Sequence, residues 1–131
     1  MKRKLFFIFS FMMLLTMVSC VKDSEHEPAV NEQQENNARY YVKYEVVVSS
    51  RHTGTMGVTV NTENGEKTFN TSSNHFLETF GPVEKGFAAR VSTSVSYSIT
   101  SASSSIYVCK EGEPFVLKAT GYLGASYVID F

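Results

Sequence analysis

From residue 39 onward, apolar and polar residues alternate with a period of two, the mark of half-buried strands. Tyr40, Val42, Tyr44, Val46 and Val48 fall on one face of a first strand, with Tyr41, Lys43, Glu45 and Val47 on the other. After a turn at Arg51 to Gly54, Met56, Val58 and Val60 form one face of a second strand. That strand ends at Asn64-Gly65, a strong short-range hairpin signal. Lys67 to Thr71 returns with Phe69 inward, and His75 to Phe80 predicts a fourth strand closed by Gly81-Pro82. Gly86 opens a longer strand with Phe87, Ala89, Val91, Val95, Tyr97 and Ile99 inward. Ser101 to Ser105 reads as a polar link. Ile106, Val108 and Lys110 then lead through Glu111-Gly112 to Phe115, Leu117 and Ala119. Pro114 beside that turn predicts an edge or strand-start position. Leu123, Ala125, Tyr127, Ile129 and Phe131 alternate to the end. No 3.6-residue apolar stripe persists, so the pattern predicts an all-β fold. Seven or eight short antiparallel strands over residues 39–131 make a single immunoglobulin-like β-sandwich the expected architecture.

The first 38 residues follow other rules. Lys2-Arg3-Lys4 precedes an apolar run, Leu5 to Val18, broken only by Ser10 and Thr16. The run is shorter than the roughly 20 residues a membrane span needs, and it predicts a cleaved signal peptide over 1–19. An uncleaved signal anchor is the alternative, disfavoured by the small residues at the boundary. Residues 20–38 carry no aromatic side chain and one base, Lys22, against Asp23, Glu25, Glu27, Glu32 and Glu35, a net of −4. Too little apolar surface is present to offset the entropy of ordering, so an acidic flexible tether is expected there.

At the junction, Met17-Val18-Ser19-Cys20 resembles the bacterial lipobox, with Met in place of Leu at its first position. The resemblance implies alkylation of the Cys20 thiol by a diacylglycerol donor and cleavage after Ser19. The freed amine then takes a further acyl chain. Each buried CH₂ contributes about 0.8 kcal/mol, so two or more chains, palmitate among them, give stable membrane attachment. Val21 departs from the aspartate of the enterobacterial inner-membrane retention signal. Lys22-Asp23-Ser24-Glu25 is similar to part of the Lys/acidic export signal of Bacteroidota lipoproteins. The expected location is therefore the bacterial outer membrane, on its periplasmic side or at the cell surface.

Residues 39–131 balance eight bases against eight acids. No basic face is available for nucleic acid. The only histidines there are His52 and His75 and the only aspartate is Asp130. Ser92, His75 and Asp130 supply the residue types of a hydrolytic triad, but no Gly-x-Ser-x-Gly elbow accompanies them. No His-x-His, Cys-x-x-Cys, EF-hand loop or phosphate-cradling glycine loop occurs, and His26 in the tether has no second ligand nearby. No catalytic residue, cofactor or metal is expected. With Cys20 acylated, Cys109 is expected to stand alone, outside any disulfide framework. Tyrosine is in excess, and the pair Tyr40-Tyr41 is the candidate binding feature. Adjacent strand residues face opposite ways, so at least one of the two is expected to be less buried.

The segments VKYEVVVSS, VTVNTENGEKTF, GFAARVS and SIYVCKEGEPFVLKATGYLGASYVI together resemble the small MmpS-like domains of many Bacteroidota lipoproteins. The likeness spans most of residues 42–129. It departs in lacking the family's mid-domain Pro-Trp segment and in placing Glu111 where the late hairpin carries aspartate. The resemblance implies an immunoglobulin-like sandwich and supplies no catalytic residues. The mycobacterial members resemble accessory subunits of lipid exporters, anchored by an uncleaved helix rather than a lipobox. The expected function is a non-catalytic, membrane-anchored envelope lipoprotein whose sandwich serves as a protein-interaction or accessory module. A glycan- or lipid-binding accessory module at the cell surface is the alternative.

Overall fold

A computed structural model describes residues 37–131. The leader, Cys20 and the tether up to residue 36 lie outside the described residues. Eight strands follow one another: β1 (Tyr40–Ser49), β2 (Met56–Thr62), β3 (Gly65–Thr71), β4 (His75–Val83), β5 (Ala88–Val95), β6 (Ser101–Lys110), β7 (Val116–Gly121) and β8 (Gly124–Val128). They form two four-stranded antiparallel sheets, ordered β4-β1-β6-β7 and β3-β2-β5-β8. This is the two-layer all-β sandwich that the alternation predicts. Links β1–β2, β3–β4, β4–β5, β5–β6 and β7–β8 cross between the sheets, whereas β2–β3 and β6–β7 are hairpins within one sheet.

The core is the sum of the inward faces. Tyr40, Val42, Tyr44, Val46 and Val48 of β1 are all buried, against Met56, Val58 and Val60 of β2 and Ala89 and Val91 of β5. Ile106 and Val108 of β6, with Ile129 beyond β8, complete the centre. Two β1 tyrosines reach polar partners across the core: the Tyr44 hydroxyl donates to the Asn61 carbonyl at 2.7 Å, and the Tyr40 hydroxyl donates to the Phe131 carbonyl. Burial pushes the Tyr44 phenol well above its ordinary range.

Four local departures from the expected pattern have physical causes. Ser101 to Ser105 is no link but the first half of β6, paired with β1 from Ser101↔Ser49 onward. Its inward residues are small, and fully buried Ser104 has its hydroxyl near Thr93 Oγ1 (3.5 Å) and the Tyr122 carbonyl (3.4 Å). Hydroxyls at a buried strand position conceal the alternation. Secondly, β4 runs through Gly81-Pro82 to Val83 instead of stopping there. Gly81, at φ 138°, and Pro82 together oppose the single residue Tyr41 of β1, a bulge in β4, and Pro82 is tolerated because β4 is an edge strand. Thirdly, the β2–β3 hairpin turns on Glu63 and Asn64, with Gly65 at φ 97° pairing Thr62. Among the described residues no non-glycine residue has positive φ, so the type I′ turn that Asn-Gly favours does not form. Lastly, a bulge pairs Ile106 with Ala119 but Tyr107 with Leu117. Residues 117 and 119 therefore face opposite sides: Leu117 is 50% exposed, whereas Ala119 packs against the core.

These placements have measurable consequences. Ile106→Ala should cost about 2–5 kcal/mol of stability, and Leu117→Ala should stay within about 0.5 kcal/mol, both read from urea unfolding. A Cβ at Gly81 would lie 2.8 Å from both the Tyr40 carbonyl oxygen and Tyr41 Cδ1. Gly81→Ala should therefore destabilise by about 1–3 kcal/mol in the same assay.

Candidate functional site

The outward face of the β4-β1-β6-β7 sheet gathers the polar and aromatic residues that the core does not use. Register sets Lys43 of β1 beside Tyr107 of β6, and Val47 beside His75 of β4. The Glu45 carboxylate then bridges two strands: Oε1 lies 3.0 Å from His75 Nε2, and Oε2 accepts from the Tyr107 hydroxyl at 3.0 Å. That hydrogen bond to a carboxylate, first among the causes, holds the Tyr107 phenol above its ordinary value. Lys43 Nζ stands 4.6 Å from the Tyr107 ring centroid and 4.7 Å from that of Phe115. Each contact is of the kind worth about 0.5–1 kcal/mol at exposed sites. The result is a continuous chain of paired groups, His75–Glu45–Tyr107–Lys43–Phe115, spanning the face.

At one end of that face Tyr41 and Cys109 are buried together under Phe115. Cys109 is 1% exposed and is not a free cysteine. The expectation that it stands alone is thereby corrected. On β6 it pairs with Tyr41 of β1 on the face away from the main core.

The Tyr40-Tyr41 pair does face opposite ways, but both residues are buried, at 2% and 7% exposure. Tyr40 lies in the core with its ring edge-on to Phe131 at 5.4 Å, and Tyr41 sits in the outer cluster. Neither presents an open ring to solvent. The residues of the conceivable triad have separate partners. His75 meets Glu45, Asp130 accepts from the Tyr127 hydroxyl at 2.6 Å, and Ser92 is paired between Thr59 and Gly124 in the other sheet. His52 is exposed, its backbone N–H donating to Ser50 Oγ. Among the described residues no three His, Cys, Asp or Glu side chains group to hold a metal. Cys20 lies outside the described residues.

A second surface lies along β5 and β8, where a shallow groove of about 500 Å³ is lined by Asn61, Arg90, Ser126, Tyr127 and Asp130 among others. The hydrogen bond to Asp130 raises the Tyr127 phenol too. Most of the exposed large apolar side chains lie nearby on β7, β8 and the tail: Val116, Leu117, Tyr122, Val128 and Phe131. The alternation alone placed Lys43 and Glu45 outward. Their coupling to His75 and Tyr107 depends on register with β4 and β6, which no local pattern carries.

No family model matches this chain, and neither curated proteins nor solved structures give a match.

Tyr44, Tyr107 and Tyr127 all ionise later in the folded chain than at the unfolded value of about 10. Their contribution to stability is complete below that pH and falls as pH rises past it. Glu45→Gln removes the ionised acceptor. The Tyr107 ring signals in an NMR titration should then shift at lower pH than in the parent protein.

Proposed function

We propose that this chain is a lipid-anchored envelope lipoprotein of the bacterial outer membrane, whose sandwich is a non-catalytic module for binding a protein partner or supporting an envelope complex. The observation that carries the anchor is Met17-Val18-Ser19-Cys20, set between an apolar run and an acidic segment. Such a leader, a thiol at the interface and two or more acyl chains suffice for stable attachment. The patterning shared with MmpS-like domains supports the same assignment of an accessory rather than a chemical role. Protein binding is favoured over sugar stacking by the burial of Tyr40 and Tyr41 and by the exposed Val116, Leu117, Tyr122 and Val128 around β7 and β8. A glycan- or lipid-binding role is the second reading, favoured by the groove beside Arg90 and Asp130.

One chemical condition makes the anchor testable. The chain has two cysteines, and a thioether on Cys20 occupies the sulfur that a disulfide would need. Non-reducing peptide mapping of the mature protein from bacterial membranes separates the two states. A lipidated peptide beginning at Cys20, absent from a Cys20→Ser variant that stays in precursor form, is the expected result. A peptide retaining the leader, or Cys20 linked to Cys109, overturns the assignment. Affinity purification of the anchored chain should recover a protein partner. Recovery of glycan or lipid alone would favour the second reading.

A further inference from the structure

Asparagine is thermolabile because the backbone nitrogen of the next residue can attack its side-chain carboxamide. A side chain on that next residue obstructs the approach, and glycine, with no Cβ, removes the obstruction. Among the described residues the asparagines are Asn37, Asn61, Asn64, Asn70 and Asn74, followed by Ala38, Thr62, Gly65, Thr71 and His75. Of these, only Asn64 precedes glycine.

Its setting at the tip of the β2–β3 hairpin separates Asn64 further. The Asn64 carboxamide makes no hydrogen bond among the described residues, whereas that of Asn61 donates to the Ala88 carbonyl at 2.9 Å. Asn64 and Gly65 are both exposed, and beyond its chain neighbours nothing lies within 4 Å of where a Gly65 Cβ would stand. The Thr62 hydroxyl accepts from the Asn64 N–H at 3.2 Å and donates to the Gly65 carbonyl at 2.7 Å. Neither bond engages the carboxamide. Gly65 pairs with Thr62 as the last rung of the ladder. Its nitrogen is therefore released by local opening alone, which costs least at an exposed loop tip.

We propose that Asn64 is a spontaneous modification site, at which the folded chain converts this asparagine to isoaspartate and aspartate. The Gly65 nitrogen gives up its proton to hydroxide and bonds to Asn64 Cγ. The Cγ–Nδ2 bond breaks, Nδ2 leaves as ammonia, and a cyclic imide remains. Water then opens the ring: attack at the main-chain carbonyl of Asn64 gives isoaspartate, and attack at Cγ gives aspartate. A water is consumed and an ammonia released, and nothing is oxidised or reduced.

The position gives the change a structural target. Either product sets a carboxylate beside Glu63, whose Oε2 accepts from the Gly81 N–H of β4 at 3.1 Å. Isoaspartate also lengthens the main chain by a carbon at the Thr62–Gly65 rung. The modification thus falls where the hairpin clasps the edge strand of the other sheet. It is independent of how the chain is anchored and of what the sandwich binds.

Peptide mapping of the full chain, aged folded in mildly alkaline detergent buffer, tests it. Fragmentation should place a growing acidic form at residue 64, with isoaspartate exceeding aspartate and a rate that rises with hydroxide. Asn61, Asn70 and Asn74 should stay unchanged over the same period. Asn64→Gln enlarges the ring that must close, and with circular dichroism unchanged it should abolish the acidic form. An acidic form that appears only after unfolding in urea overturns the proposal. So does aspartate without isoaspartate, the mark of direct hydrolysis, or equal change at Asn61, Asn70 or Asn74.

Discussion

Burial of one face of β1 is the interaction on which the rest of this molecule depends. Five inward side chains in strict alternation, Tyr40, Val42, Tyr44, Val46 and Val48, are all withdrawn from water. Fully burying a side chain of this kind is worth roughly 1.5–3 kcal/mol, so this strand alone is a large part of the driving force. Because side chains alternate along a strand, a one-residue slip would turn that entire row to solvent. Pairing with β4 and β6 is therefore set in register, and the outer face follows from it. The Tyr44 and Tyr40 hydroxyls add direction: each finds a carbonyl in the opposite layer, so a large ring can be buried without stranding its polar end.

The same register builds the surface. Once Tyr44 and Val46 point inward, Lys43 and Glu45 must point outward. Pairing then brings Tyr107 and His75 within reach of them. What results is a set of mutually satisfied groups rather than a poised nucleophile with its base. The exposed apolar residues collect at the β7–β8 side instead, where the sheets end.

Much of the fold was legible from residue spacing. The β1, β2 and β5 rows are strongly apolar on one face, and the inward residues named there lie in or against the core. Legibility failed where polarity and position diverge. The serines of β6 occupy a central strand because small hydroxyl-bearing residues fit beneath a tight sheet contact, and their hydrophilicity hid it. The opposite facing of Leu117 and Ala119 was not legible, because a bulge changes the parity between them and leaves no local signature. The Tyr40-Tyr41 pair obeyed parity yet gave no exposed ring, since the outer cluster of Cys109 and Phe115 covers Tyr41. Of the outer face, the β1 residues were readable. Their partners were not, because β4 and β6 approach β1 from some thirty and sixty residues away.

Amide hydrogen exchange tests most directly the claim that the structure is organised around β1 and its register. The slowest-exchanging amides should be those of β1 and β6 that bond across the sheet, with Ser103 to Ser105 protected alongside Ile106 and Val108. Exchange of that serine run at the rate of the loop from Glu111 to Phe115 would contradict the pairing and, with it, the surface built on that register.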